Sequence, residues 1–327
     1  MHDFDMSRNS KISSYLNDKF TRRILITGAG GMLGNSFATS LANYLPHVEA
    51  AALSHDQLDV RNRKDVLKWQ NWLNGGWIIH CAALVSVEGC ASNPDLARET
   101  IVEGTQNIID LAKDSGAGVL YPQSFLIFDG SDLPIPEDEQ PRPLALYGRL
   151  KMEAETLVKK GVERSICVRM AGFFGGQHRD KNFVGKIIQE MARKIKNGES
   201  SISIGDRIWQ PTWTDDLALN SLMLVCAEKT GVYQMACHGT ASFYDLTKEI
   251  VNQLNWQDKI QVVKVSVEDV TAQELGKRPS RAELSCQYIR EQGLDIQRPW
   301  AEALHEYLKA PFFDQFRNMQ FEIQNRF

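Results

Sequence analysis

The sequence is poor in the features that mark several large classes of protein. Its six cysteines (Cys81, Cys90, Cys167, Cys226, Cys237 and Cys286) include no CxxC pair, which removes the spacing of a zinc site or a dithiol redox motif. Several sit inside apolar runs and read as small core residues, as in a reducing cytosol. No run approaches about 18 apolar residues, the length of a membrane-spanning helix. Basic residues are not in excess: Lys plus Arg is 37 against 41 for Asp plus Glu, a net charge of −4, with no basic stripe to follow a nucleic-acid backbone. Residues 1–20 are polar and mixed in charge, without the apolar core of a signal peptide. His178 and His238 stand alone, so no metal site is expected, and there is no internal repeat. The expectation is a cytoplasmic protein with neither nucleic acid nor membrane as partner.

What is present is apolar sequence in quantity, 43% of 327 residues, enough for a sizeable core. After a polar extension over residues 1–20, with a short helix around Ile12 to Leu16, a buried strand is expected at Ile24-Leu25-Ile26-Thr27. A glycine turn follows at once, Gly28 to Gly34, and then a helix to about Tyr44. Glycines at 28, 31 and 34 supply a tight turn, a close backbone approach to a pyrophosphate, and close helix-on-strand packing, with the phosphates at the helix N-terminus. A second strand, Val48 to Leu53, ends in Ser54-His55-Asp56. No carboxylate closes it directly to take both ribose hydroxyls, whereas Ser54 and His55 suit a 2′-phosphate, so NADPH is expected over NADH, with NADH left open by Asp56.

A third strand from Trp77 ends in small residues at Ala82 and Ala83, which leaves room for a cofactor. Pro94 to Ala112 reads as a long helix, and Val119-Leu120-Tyr121 as a fourth strand that delivers Ser124 at its carboxyl end. The alternation of strands and helices implies an α/β Rossmann-type fold, a doubly wound parallel sheet that binds ligands at the carboxyl edge of its strands. A turn-rich loop from Asp129 to Pro143 then leads to Tyr147-Gly148-Arg149-Leu150-Lys151. On a helix, Tyr147 and Lys151 share a face, where an ammonium lowers the phenol pKa for proton transfer to a carbonyl oxygen, and Ser124 can hold that oxygen. The spacing alone selects nothing: three of the eight tyrosines have a lysine four residues on, at Tyr15, Tyr147 and Tyr244. Order along the chain singles out Tyr147.

These motifs resemble the extended short-chain dehydrogenase/reductases, and among them the dTDP-4-dehydrorhamnose reductases. The resemblance runs in order through Ile24 to Gly34, Leu58-Asp59-Val60, His80 to Ala83, Phe128-Asp129-Gly130, Tyr147 to Lys151 with Glu155, Asn182-Phe183-Val184, Gln210-Pro211-Thr212 and Arg278-Pro279. It implies a catalytic set of Ser124, Tyr147 and Lys151, with Tyr147 as general acid. It implies cofactor contacts from Thr27, Gly28, Gly31, Met32, Leu33, Gly34, Ser54, His55, Asp59, Val60, Ala82 and Ala83, with Tyr147 and Lys151 at the nicotinamide ribose. Substrate contacts are expected from Val85, Phe125, Asn182, Phe183, Trp209 and Arg278. The family's usual Ser-Thr-Asp is Gln123-Ser124-Phe125 here, its asparagine is Ile101, and its Tyr-Thr is Leu84-Val85, so the polar lining of the pocket is thinned.

The expected division is an extension (1–20), a dinucleotide-binding domain (21–171, joined by later strands from about 205–240), and a smaller substrate domain with a tail (172–327). The tail aromatics Phe312, Phe313, Phe316 and Phe321 are expected to pack on their own domain or on a second subunit, a homodimer being open. The implied activity is NADPH-dependent reduction of a keto group on a nucleotide-linked deoxysugar. The alternatives are a non-catalytic NADP-binding regulatory subunit, similar to that of methionine adenosyltransferase, and a nucleotide-sugar epimerase.

Overall fold

The structure, a computed structural model, describes residues 2–131, 133–266, 268 and 276–319, with side chains from residue 8. Six strands form one parallel sheet: β1 (Ile24–Thr27), β2 (Ala50–Leu53), β3 (Trp77–His80), β4 (Gly118–Ser124), β5 (Ser165–Met170) and β6 (Gly231–Met235), in spatial order β6-β5-β4-β3-β1-β2. The order reverses between β1 and β3, which is where an open α/β sheet leaves a crevice at its carboxyl edge. Strand side chains alternate between two cores. Ile24, Ile26, Ile79, Leu120, Ile166 and Val168 face one way, towards the helices Met32–Tyr44 and Thr214–Cys226. Leu25, Ile78, Val119, Tyr121 and Cys167 face the other, towards Gly104–Ser115 and Leu146–Gly161. Each fully buried aliphatic side chain contributes about 1.5–3 kcal/mol, so these two layers hold the sheet edge rigid.

Four helices matter to the site: α1 (Met32–Tyr44), α2 (Gly104–Ser115), α3 (Leu146–Gly161) and α4 (Phe183–Lys196). In α3 the buried residues are Tyr147, Leu150, Lys151, Ala154, Glu155 and Val158, one continuous helical stripe. Lys159 and Lys160 in its last turn complement the helix dipole. The tyrosine and lysine therefore point into the molecule. The helix expected over Pro94 to Ala112 is wound as three segments, with a π-helical turn at Glu99–Glu103 before α2. Ile101 lies in that turn and is fully buried.

The N-terminal extension does not stand ahead of the fold. It is a helix over His2–Tyr15, and Ile12, Leu16 and Phe20 join the core on the α1 side of the sheet. Arg8 reaches Asp216 at 2.7 Å and the carbonyl of Ile296 at 3.0 Å. Its apolar positions 12, 16 and 20 were too sparse to announce a docked helix.

The smaller unit gathers α4, the helices Phe243–Gln253 and Trp300–Leu308, and short strand pairs around a third core. Ser242 caps Phe243–Gln253 in a capping box with Asp245. Of the segment at 205–240, only β6 joins the main sheet; Ser201–Gly205 pairs instead with Gln261–Val265. Phe312, Phe313 and Phe316 pack on this third core, and the Trp256 indole donates to the Phe316 carbonyl at 3.1 Å. Phe321 lies outside the described residues. Among the described residues no helix is long and apolar enough to cross a membrane.

Candidate active site

The dinucleotide cradle is built by backbone. Gly28 adopts φ +68°, and a Cβ there would lie 2.7 Å from the amide nitrogen of Ala82. A Cβ on Gly34 would lie 2.4 Å from the Gly28 carbonyl oxygen. Both positions exclude side chains, so β1, the turn and α1 close on one another. Gly31 is the N-cap of α1 and carries no side-chain cap, which leaves the first-turn amides at Met32 and Leu33 directed at the crevice. This is a fit for a pyrophosphate. The Leu33 side chain itself belongs to the core.

Other expected cofactor residues divide. Ala82 and Ala83 line the end of β3 with little bulk. Thr27 turns away from the crevice: its hydroxyl sits 2.8 Å from His80 Nδ1 and accepts from the Ala82 amide at 3.2 Å. His80 Nε2 is 3.1 Å from the Thr105 hydroxyl, which donates to the Ile101 carbonyl at 2.6 Å. Only the Nε2–H tautomer satisfies every member of that chain. Burial pushes the His80 pKa down to about 3, with Lys151 adding to the effect, so the imidazole is a neutral brace between β1, β3 and α2. Ser54 lies beside Gly30 and is held by Gln57. Asp59 is gripped by Arg61 at 2.6–3.0 Å, which holds its carboxyl below the usual range. Arg61 is a cation at the expected adenosine end that the motif reading passed over. Val60 is buried against Gly104 and shapes the wall only from behind.

The catalytic candidates come together. β4 ends at Ser124, whose hydroxyl accepts from the Leu126 amide at 3.2 Å, and the same side chain stands close enough to the Tyr147 phenol to draw its pKa down. Close packing brings α3 there: a Cβ on Gly148 would lie 2.3 Å from the Leu126 carbonyl oxygen. Lys151 behaves differently from expectation. Its Nζ donates to the Pro122 carbonyl at 2.7 Å and stands 3.9 Å from the centre of the Tyr121 ring. It therefore does not lower the Tyr147 pKa in this arrangement. Burial pushes that phenol up to about 12, and Ser124 pulls the other way without prevailing. Lys151 is itself pushed down to about 7 by burial. The site holds a protonated phenol, a serine hydroxyl beside it, and a buried amine one helical turn behind.

The substrate candidates are less unified. Val85 is 67% exposed at the mouth beyond β3. Phe125 packs beside Gly172. Trp209 packs still closer on the same glycine, is 6% exposed, and has a buried indole N–H with no hydrogen-bond partner among the described residues. It meets Phe243 edge-on at 5.2 Å, while Phe183 stacks on Phe243 at 4.1 Å. Phe243 is thus the centre of an aromatic group with Trp209 and Phe183. The Asn182 amide caps no ligand here; it donates to the Phe173 carbonyl at 2.9 Å. Arg278 pairs with Glu88 at 2.5 Å, tying the small unit to the segment after β3. The surface pair Tyr244 and Lys248 stacks at 5.5 Å with no hydroxyl partner of the Ser124 kind. A cavity of about 450 Å³ lies elsewhere, between Ser36, Trp213, Asp215, Tyr307 and the rim residues Arg179 and Lys309. It contains none of the three catalytic candidates.

Comparison with known proteins gives the lineage of this arrangement. The family model described as RmlD substrate binding domain matches residues 22–312. The chain belongs to the RmlD family. It is similar to a dTDP-4-dehydrorhamnose reductase of Aggregatibacter actinomycetemcomitans, 29% identical over 294 residues, covering 86% of this chain and 97% of the relative. It is similar in structure to the dTDP-4-dehydrorhamnose reductase of Bacillus anthracis solved in complex with NADP, with a TM-score of 0.80, 25% identity, and coverage of 89% and 99%. A subunit beta of methionine adenosyltransferase 2 from Xenopus tropicalis is 25% identical over 304 residues, covering 88% of this chain and 87% of that one. As a member of the RmlD family the chain is an NAD(P)H-dependent oxidoreductase with a Rossmann fold.

Proposed function

We propose that this protein reduces the keto group of a nucleotide-linked deoxysugar with NADPH, and that Tyr147 donates the proton. The observation that carries the reading is the convergence of Ser124 and the Tyr147 phenol at the carboxyl end of β4, where Ser124 draws the phenol pKa down against burial, in a chain whose glycine cradle fits a dinucleotide. Gly28, Gly31, Gly34 and the first-turn amides of α1 would hold the pyrophosphate, with Ser54, His55 and Arg61 towards the adenosine 2′-position. The bound nicotinamide would supply hydride to the carbonyl carbon. The protein's own task is at the oxygen. Tyr147, with its pKa near 12, keeps its proton at neutral pH and gives it up as negative charge develops on that oxygen. Ser124 donates to the same oxygen and orients it. Lys151, held by the Pro122 carbonyl and the Tyr121 ring rather than by the phenol, would hold the nicotinamide ribose.

The homologue names support the sugar-nucleotide class, and the NADP complex of a relative supports the cofactor. The relative named as a methionine adenosyltransferase subunit supports a second reading, a cofactor-binding regulatory subunit. A panel of nucleotide-linked 4-keto sugars assayed for NADPH consumption separates the two. Turnover that Tyr147→Phe reduces by about 10²–10⁴-fold, with cofactor binding retained, supports the reductase. Cofactor binding with silence across the panel supports the regulatory subunit.

A further inference from the structure

Gln123 replaces a serine of the family pattern, and its carboxamide occupies the junction between the strand that carries Ser124 and the helix that carries Lys151. Its Oε1 accepts the backbone N–H of Ser124 at 2.8 Å. Its Nε2 donates to the carbonyl of Lys151 at 2.9 Å and to Glu155 Oε2 at 3.0 Å. Gln123 is 3% exposed, and both N–H groups are used. Behind it, Glu155 is paired with Arg169 at 2.8 Å, both only 4% exposed. Arg169 donates to the Glu137 carbonyl at 2.9 Å, and the Glu137 carboxylate accepts from the Ser285 hydroxyl and the Tyr288 amide at 3.0 Å each. The catalytic hydroxyl and the lysine turn are thereby tied through one side chain to a buried ion pair that spans β5, α3 and the loop at 285–288.

We propose that Gln123 is a positioning residue for reduction: it sets the spacing of Ser124 from the Tyr147–Lys151 turn, and so the proton-transfer geometry. The proposal rests on the reductase reading above. A serine at 123 would be too short to reach both the Lys151 carbonyl and Glu155, so the link depends on the length of the glutamine side chain. A neutral amide is required, because a carboxylate would face Glu155. Methionine preserves the length of the side chain and removes all three hydrogen bonds.

The test is Gln123→Met in the full chain, with Tm, NADPH affinity by fluorescence titration, kcat, KM and the pH profile measured on the turned-over sugar, alongside Tyr147→Phe. The proposal expects a cooperative fold, NADPH affinity within about threefold of the parent, kcat down by roughly 10- to 100-fold, and a displaced alkaline limb of the kcat profile. A folded Gln123→Met with kcat within about twofold of the parent and an unmoved profile overturns it, as does a fall in kcat matched by an equal loss of cofactor affinity. If Gln123→Met does not fold, Gln123→Asn is judged by the same criteria. Loss of turnover in Tyr147→Phe with none in Gln123→Met overturns the Gln123 role alone. Full turnover in Tyr147→Phe, or silence of the parent across the sugar panel, overturns the reading beneath it and the Gln123 role together.

Discussion

The ammonium of Lys151 rests 3.9 Å from the centre of the Tyr121 ring and is anchored at 2.7 Å to the Pro122 carbonyl. Both partners come from β4, the strand that ends in Ser124. The lysine is thus seated by the sheet, through a cation–π contact and one charge-assisted hydrogen bond, while Ser124 acts on the Tyr147 phenol and draws its pKa down.

Burial of that ammonium has a cost that depends on pH. Its pKa falls from 10.5 to about 7 in the fold, so between those values the unfolded chain binds the extra proton and stability rises with pH. Below about pH 7 the penalty is complete. Lys151→Met is therefore expected to be more stable than the parent by on the order of 2–4 kcal/mol at pH 6, with the difference vanishing by about pH 10. Urea unfolding at a series of pH values checks it; a difference that grows with pH contradicts the assignment.

The buried pair beneath Gln123 makes a second prediction. Arg169→Met leaves Glu155 charged, 4% exposed and without its guanidinium, and should lower stability by about 3–5 kcal/mol. Arg169→Met combined with Glu155→Leu should recover much of the loss. Denaturant midpoints of the two variants decide this.

Gly34→Ala tests the cradle. The new methyl would overlap the Gly28 carbonyl oxygen at 2.4 Å, and backbone cannot move aside as a side chain can. We expect a loss of about 1–3 kcal/mol in stability and NADPH affinity reduced by at least tenfold, about 1.4 kcal/mol. Unchanged binding of NADPH by titration calorimetry removes the glycine turn from the cofactor site.

The N-terminal helix is expected to be part of the stable unit. Deleting residues 1–16 removes Ile12 and Leu16 from the core and takes Arg8 from Asp216, 2% exposed at its side chain, whose pairing with Arg298 at 2.7 Å remains. The truncated chain should lose about 3–5 kcal/mol from the two buried apolar side chains while keeping its kcat at low temperature. Equal thermal midpoints for the two chains would show that the helix only rests on the fold.

Much of the framework was readable before any coordinates. The strand at Ile24 to Thr27, the glycine turn and the helix to Tyr44 form a local unit whose residues act on their neighbours, and local rules describe such units well. The resemblance carried Ser124, Tyr147 and Lys151 into one site because their order along the chain follows the winding of the sheet. Asn182 and Arg278 show where such reading stops. Their side chains are claimed by Phe173 and Glu88, one nine residues away and one 190, and no spacing rule encodes either.

Sequence by itself determined the parallel doubly wound sheet and the tight glycine turn between β1 and α1, since each follows from periodicity or glycine placement, and it supplied Tyr147 as the proposed proton donor. Tertiary structure decided the electrostatics. Whether Lys151 addresses Tyr147 or Tyr121, whether burial or a neighbouring charge governs the phenol, and that Gln123 joins Ser124 to the buried Glu155–Arg169 pair depend on the approach of β4 to α3. Hydrogen bonds and desolvation act over a few ångströms in space, and residues 123, 151, 155 and 169 come within that range only when the chain is folded.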